Sequence, residues 1–500
     1  MTDPSTAAEA NDDLPEQVRI RRAKYDRLMA DPERAPFPVT VPRTHTLAQV
    51  RQAYPDLAAG AETGEQVGVT GRVIFVRNTG KLCFATLREG GVELQVMLSA
   101  DRIGEQALAA WKADVDLGDQ VFVTGEVISS RRGELSVLAD AWRMTAKALR
   151  PLPVAHKPMS EETRVRQRYV DLIVRPDARR MVLMRAEVLA SIRSTLNRHG
   201  FVEVETPILQ SIHGGAAARP FQTHLNAFDQ PMSLRIALEL YLKRVLVGGI
   251  DRVFEIGKTF RNEGIDSTHS AEFTMLEAYE AYGDYNSMAH WTRAIILDAA
   301  SAVGVETPRT GDGADIDLVT EWRWASIYDL VSAAVDESVT PDSDKCRLAE
   351  LAARRNVALK PEWDAGEIVL ELYEKLVEHT LIQPTFVCDY PRSVRPLARP
   401  HRSDPRLAEA WDLVIGGVEM APAYSELADP VEQRRLLVEQ SLAAAAGDPD
   451  AMELDEDFLQ ALEYGMPPSG GMGLGVDRLI AMLTGKGIRE TILFPLLKPL

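Results

Sequence analysis

The residue types that could do chemistry gather in residues 253–285, where two β segments flank a polar loop, 262–270. Arg261 stands at the entry to the loop, Glu263 and His269 lie within it, and Phe273 follows. An arginine can clamp a carboxylate or an α-phosphate bidentately, and a ring such as Phe273 can stack on adenine. Side chains alternate along a strand, so an extended 272–282 puts Phe273, Met275, Glu277 and Tyr279 on one face. One ligand would then meet a ring, a carboxylate and a phenol. Read singly, each of these residues is structural. The signal is the run Phe260-Arg261-Asn262-Glu263-Gly264 followed by His269 and Glu272-Phe273.

Two further stretches carry related chemistry. Residues 471–478 space three glycines ahead of Asp477 and Arg478, which lets a strand and a helix come close to a nucleotide; alone, such a run is most often a turn. Residues 412–419 read as a hairpin turning on Gly416-Gly417, which pairs Val414 with Glu419 and sets Asp412 diagonally across on the same face. Two carboxylates on one face suit Mg²⁺ bridging the phosphates of ATP. The competing reading is a solvated acidic hairpin.

Upstream, Met181, Met184, Val188, Ile192 and Leu196 recur at helical spacing, Gly200 ends the helix, and 201–206 reads as a strand stopped by Pro207. In this order the three stretches resemble motifs 1, 2 and 3 of the class II aminoacyl-tRNA synthetases. Over nearly its whole length the chain is similar to lysyl-tRNA synthetases of the bacterial type. Motif 1 builds a homodimer interface in that family. The resemblance implies that ATP is held by Arg261, Glu263, His269, Phe273, Glu419 and Arg478. Arg261 and Arg478 would be the catalytic pair, with Arg478 meeting the γ-phosphate, and Asp412 and Glu419 would hold Mg²⁺. For L-lysine it implies Arg261 on the carboxylate, Glu239 and the Gly215 carbonyl on the α-amino group, and Glu277, Tyr279 and Glu426 at the ε-ammonium, with Tyr424 in the same set. Acids are needed there, because a buried charge left unpaired costs several kcal/mol, roughly 3–5. Asp477 before Arg478 also resembles the subclass of lysine, aspartate and asparagine enzymes, of which the last two would not surround the side chain with acids.

Some positions depart from the family pattern. Leu238 stands where proline is common, and Ala421-Pro422 replaces a glycine and the Asn or Thr that usually precede the aromatic residue. Pro422 removes a backbone donor and a polar side chain beside the substrate carboxylate. Strict alternation would put Tyr424 and Glu426 on the face opposite Glu419, so a bulge is expected near Pro422.

The elements that must position these residues fall into two groups. Residues 64–148 read as five short β segments, 67–76, 82–87, 92–98, 120–128 and 134–142, with a helical stretch 101–112 after the third. That is the pattern of an OB-fold, although a different five-stranded barrel also fits. Resemblance puts Arg77, Phe84, Gln95 and Glu134 on an anticodon, Phe84 stacking on an unpaired base and Gln95 and Glu134 reading its edge. On the residues alone, Phe84 in the barrel core is the preferred reading. The organisation expected is a disordered tail 1–14, a helical segment 15–62, an OB-fold anticodon-binding domain 63–150, a Pro-rich linker 151–164 and a catalytic domain 165–500. The fold class is α+β, the larger domain resting on an antiparallel sheet. No internal repeat is apparent apart from the alanine-rich stretch 443–446.

Composition sets the bounds. With 500 residues and 45% hydrophobic content the chain can bury two or three cores. No apolar run is long enough to span a bilayer, and the three cysteines, Cys83, Cys346 and Cys388, are too scattered for a CxxC pair. The expectation is a cytoplasmic protein with no disulfide, structural zinc or membrane partner. A net charge of -18 argues against indiscriminate nucleic-acid binding, so tRNA(Lys) must be met by local basic patches. One candidate is 17–34, with Arg19, Arg21, Arg22, Lys24 and Arg27; the other reading of that run is a solvated helix face. The activity implied is formation of lysyl-adenylate from L-lysine and ATP, then transfer to the tRNA 3′ end. The rivals are a paralogue that activates a lysine analogue or has altered selectivity, and a non-catalytic tRNA-binding regulator.

Overall fold

The computed structural model describes residues 15–153, 159–266, 269–445 and 454–498. The expected tail 1–14 lies outside the described residues, as do 154–158 of the expected linker, 267–268 of the polar loop and the end of the alanine-rich stretch. The chain forms two compact units, Met1–Arg179 and Arg180–Leu500.

In the first unit β1 (Glu62–Thr79), β2 (Leu82–Glu89), β3 (Val92–Ser99), β4 (Gln120–Ser129) and β5 (Leu135–Ala146) close into a barrel in the order β1-β2-β3-β5-β4. Only the β3/β5 pairing is parallel, and this is the OB-fold topology. Alternation assigns the faces. Cys83, Ala85 and Leu87 of β2 and Leu94, Val96 and Leu98 of β3 are fully buried in the barrel core, so Phe84, Thr86, Gln95 and Met97 stand on the outer face. The predicted helix 101–112 splits into Ala100–Ile103 and Glu105–Asp114, because Gly104 between them takes φ 85, a conformation only glycine adopts freely.

Helix Glu16–Met29 carries the basic run, and its inward face is Val18, Arg21 and Leu28. Arg21 donates to the carbonyls of Leu117 at 2.8 Å and Ala148 at 3.0 Å, and Lys24 pairs with Asp116 at 2.7 Å. Arg27 and Arg34 converge on Asp114. Neither earlier reading of this run holds throughout: Arg21, Lys24 and Arg27 tie the helix to its own unit, while Arg19 and Arg22 remain exposed.

The second unit is built on a sheet of β6 (Val202–Glu203), β10 (Arg252–Phe260), β11 (Glu272–Ala281), β12 (Arg323–Ser326), β13 (Thr385–Cys388), β14 (Ala410–Ile415), β15 (Val418–Ser425) and β16 (Ser469–Gly475). Their order is β12-β13-β14-β15-β16-β11-β10-β6, and β7 (Leu209–Gln210), β8 (Gln222–Leu225) and β9 (Gln230–Leu234) form a small separate sheet. The antiparallel expectation holds for the inner pairs, but the outermost pairs, β12/β13 and β10/β6, are parallel, so the sheet is mixed. The expected strand 201–206 shrinks to the two residues of β6, which pair with β10 only at Val253 and Phe254.

Leu276 and Ala278 of β11, Met472 and Leu474 of β16, and Ala421 and Ala423 of β15 enter one core with Val188, Ile192 and Leu196 of helix Pro176–Arg198. Each large apolar side chain so buried contributes about 1.5–3 kcal/mol. A slip of one residue would turn these side chains out, so the core fixes the register and thereby what the opposite face presents.

Candidate active site

That opposite face floors a cavity of about 470 Å³. From β11 it receives Phe273, Met275, Glu277 and Tyr279, as alternation requires. From β16 it receives Gly471, Gly473 and Gly475, paired with Tyr279, Glu277 and Met275 respectively. A Cβ on Gly471 would fall 2.0 Å from Glu426 Oε1 and 2.4 Å from Tyr279 Cε1, so the glycine is required by close approach. Gly473 has nothing nearer than 3.8 Å, so its missing side chain leaves open floor.

β14 and β15 complete the floor through the expected bulge. Val414 pairs with Glu419, Leu413 with Ala421 and Asp412 with Pro422, leaving Met420 as the extra residue. The bulge resets the alternation, and Asp412, Glu419, Pro422 and Tyr424 all line the cavity. Asp412 is 6% exposed and lies in a wholly buried strand, so the solvated-hairpin reading fails for it.

One end of the cavity is cationic. Arg261 lies 5.3 Å from the Phe273 ring and donates to the Ile236 carbonyl at 3.4 Å; burial lowers its pKa while Glu263 and Glu419 oppose that shift. Arg478 donates to the Glu419 carbonyl at 2.7 Å and approaches His269 Nε2 at 3.4 Å, while His269 Nδ1 lies 2.9 Å from Asp266. Asp477 fixes the start of helix Val476–Thr484: its carboxylate accepts from Thr274 N at 2.7 Å and from Arg185 at 2.5 Å. Glu263 accepts from Arg219 N at 3.3 Å.

The other end is acidic and buried. Glu277 accepts from Leu238 N at 2.9 Å and from Tyr279 OH at 3.0 Å; burial and then the charge of Glu239 push its carboxyl up to about 7. Burial and the Glu277 charge also raise the Tyr279 phenol. Leu238 supplies an N–H that a proline could not, so this departure adds a contact to the pocket. Gly215 takes φ 86, and a Cβ there would lie 3.1 Å from the Cβ atoms of Ala237 and Glu239, packing the backbone against the start of helix Glu239–Val247. Glu426, unlike the other expected lysine-binding residues, does not line the cavity. Its Oε1 sits beside the Tyr279 ring in the space that a Gly471 Cβ would take, and burial pushes its carboxyl up to about 8 against the pull of Lys243.

Residues missed in the sequence complete the site. Lys243 is fully buried between Glu239 and Glu426. Arg395 packs 4.2 Å from the Tyr390 ring and pairs with Asp412. Lys243 had a faint signal, since it follows Glu239 at helical i,i+4 spacing; Arg395 had none. Among the described residues no three His, Cys, Asp or Glu side chains converge to hold a metal unaided. The donors nevertheless suit Mg²⁺ shared with phosphates, which needs only one or two carboxylates. Asp412 Oδ1 is buried with no hydrogen-bond partner in the described residues, and Glu378 is pushed up to about 7 by burial and by Glu419, Glu374 and Asp412.

On the barrel, Arg77 lies opposite Phe84 in the β1/β2 register with its guanidinium 4.8 Å from the ring. Phe84 is half-buried on the outer face, which overturns its placement in the core. Gln95 donates to Ser136 at 2.8 Å, and the exposed Glu134 pairs with Arg51 at 3.2 Å.

The profile of the "tRNA synthetases class II (D, K and N)" matches residues 160–498, and that of the "OB-fold nucleic acid binding domain" matches 67–145. A "Lysine--tRNA ligase" of Kineococcus radiotolerans is 58% identical over 491 residues, 98% of this chain and 98% of that protein. One from Mycobacterium tuberculosis is 56% identical, covering 99% of both chains. A "Lysylphosphatidylglycerol biosynthesis bifunctional protein LysX" of Mycobacterium avium is 50% identical over 99% of this chain but only 42% of its own length. These matches run along nearly the whole of this chain, over the strands that floor the cavity and the five-stranded barrel alike: the chain belongs to the class II tRNA synthetases of the D, K and N group.

Proposed function

We propose that the chain activates L-lysine with ATP and transfers it to the 3′ end of tRNA(Lys). The observation that carries this is one cavity with two arginines at one end and buried acids at the other. A lysine carboxylate held by Arg261 attacks the α-phosphorus of ATP, the bond to the β-phosphate oxygen breaks, and pyrophosphate leaves lysyl-adenylate. A ribose hydroxyl of the tRNA end then attacks the lysyl carbonyl and releases AMP. No protein side chain acts as nucleophile. Arg261 and Arg478 hold the phosphates and the charge that develops on them, and positioning supplies the rest. Phe273 stacks on adenine, with Glu263 and His269 at the nucleotide. Glu277 and Tyr279 face the ε-ammonium, and Gly215 and Glu239 face the α-ammonium. Tyr424 closes the wall, and Glu426 adds negative charge beside Tyr279, over Gly471.

Asp412 and Glu419 would hold Mg²⁺, which supplies neutralisation of phosphate charge when bound. On the barrel, Arg77, Phe84, Gln95 and Glu134 would read the anticodon. A homodimer through the motif 1 elements is supported by the exposed apolar side chains Leu183, Val202 and Leu209, at 61%, 49% and 46%. Its substrates assign the protein to the cytoplasm, and among the described residues no helix is long and apolar enough to cross a membrane. A non-catalytic regulator is not favoured, since Arg261, Glu263, Glu419 and Arg478 all line the cavity, and a selectivity-shifted paralogue is not favoured, since the full-length relatives at 56% and 58% identity carry the name "Lysine--tRNA ligase". The test is charging of a tRNA(Lys) transcript with radiolabelled lysine. ATP- and Mg²⁺-dependent charging is expected, and its absence with folded protein would overturn the reading.

A further inference from the structure

Lys243 is shut off from solvent and does not line the cavity, yet it pairs with two carboxyl groups at the acidic end of the pocket. It is 0% exposed and is not among the lining residues. The helix Glu239–Val247 places it one turn after Glu239, so its Nζ lies 2.6 Å from Glu239 Oε1 and 2.5 Å from Glu426 Oε2. Burial alone would lower its pKa, but the two carboxylates outweigh burial and hold the ammonium above its usual value. Glu277 stands apart, taking its hydrogen bonds from Leu238 N and the Tyr279 hydroxyl and none from Lys243.

We propose that Lys243 is a built-in counter-ion that sets how many cations the pocket demands of its amino-acid substrate. Three buried carboxyl groups, Glu239, Glu277 and Glu426, meet one resident ammonium, and burial pushes Glu277 up to about 7 and Glu426 up to about 8, so only when cations arrive do the two negative charges beyond the one that Lys243 balances develop fully. A diamino acid brings two ammonium groups and balances them. An amino acid with a neutral side chain brings one and leaves an acid buried without a partner, which is the costly outcome in a low-dielectric site. Lys243 is thus a positioning residue that acts on the substrate through Glu239 and Glu426. Lys243 opposes the burial and the neighbouring acids that raise the Glu426 carboxyl, so without it Glu426 moves further up and holds its proton more firmly.

This inference rests on the cavity being the lysine site. The test compares the unaltered chain with Lys243→Met in lysine-dependent ATP–pyrophosphate exchange, and in calorimetry of lysine binding in two buffers of different ionisation heat. At pH 7 the variant is expected to show a lysine KM raised about tenfold or more, with kcat changed less than about threefold. At pH 8, where the Glu426 carboxyl of the unaltered chain is about half ionised, lysine binding should release more protons from the variant than from the unaltered chain, because the variant's carboxyl starts more fully protonated and must ionise as the ammonium arrives. An unchanged KM, a loss confined to kcat, or an unchanged proton count would overturn the proposal. Where Lys243→Met does not fold, Lys243→Gln keeps a donor to Glu239 and drops the charge. The same changes are expected of it, and behaviour like the unaltered chain would show that Lys243 serves as a hydrogen-bond donor only. Failure of the unaltered chain to exchange with lysine would instead contradict the functional reading.

Discussion

The outer face of the barrel and the floor of the cavity both derive from strand alternation, yet they use it differently. On β2, Cys83, Ala85 and Leu87 build the core while Phe84 and Thr86 face out, so the residues that fold the barrel and those offered to a ligand are separate sets. In the cavity the sets overlap: Glu277 is at once 4% exposed, hydrogen-bonded to the backbone at Leu238, and the acid offered to the substrate. A barrel-face substitution should therefore alter recognition alone. A cavity substitution should alter chemistry, and sometimes the fold as well.

Arg261→Ala should sharpen this contrast most, lowering amino-acid-dependent ATP–pyrophosphate exchange by about 10²–10³-fold, the range for losing a donor at a developing anion. Full exchange would break the assignment of the cationic end. Glu277→Gln comes next: lysine binding should weaken by about 2–5 kcal/mol while the KM for ATP holds, as expected when one partner of a buried charge pair is truncated. Phe84→Ala should cost about 1–3 kcal/mol in tRNA binding and leave exchange untouched, because exchange involves no tRNA. Impaired exchange in that variant would show that the two regions are not separable as described.

A smaller effect is expected from pH. Glu277 at about 7 carries a proton in the free site below that value and cannot receive an ammonium. Lysine kcat/KM should therefore rise with pH through a midpoint near 7 and level off above it. Leu238→Pro removes the N–H that favours the carboxylate form, so the midpoint should move upward. The smallest effect concerns Arg19 and Arg22, two of the exposed arginines of helix Glu16–Met29. Arg19→Ala/Arg22→Ala should reduce the salt dependence of tRNA binding by a slope of about 2 if both meet phosphates, with exchange and thermal stability unchanged.

Legibility in the sequence follows the same division. The face shared by Phe273, Glu277 and Tyr279 could be read because alternation in one strand is local. Even the bulge could be anticipated, since Glu419 and Tyr424 could line one cavity only if the alternation reset between them. Phe84 was placed in the core wrongly, because Leu82, Phe84 and Thr86 look as apolar as Cys83, Ala85 and Leu87, and closure of the barrel decides which set turns inward. Within the basic run Arg21 was misplaced, because it shares a helical face with Val18 and Leu28, a periodicity that its charge obscured. Arg395 was missed because its partner Asp412 lies on a different element, so nothing local separates such a cation from one in solvent, while Lys243 showed only the i,i+4 spacing to Glu239 that exposed helix pairs share.

The most direct test of the account is ATP–pyrophosphate exchange by the unaltered protein across all twenty standard amino acids. A site that offers buried acids to a second ammonium rejects substrates lacking it far more strongly than a pocket selecting on size alone. Lysine should exceed every other amino acid by about 10⁴-fold or more. Comparable exchange with aspartate, asparagine or a neutral amino acid of similar length would contradict it.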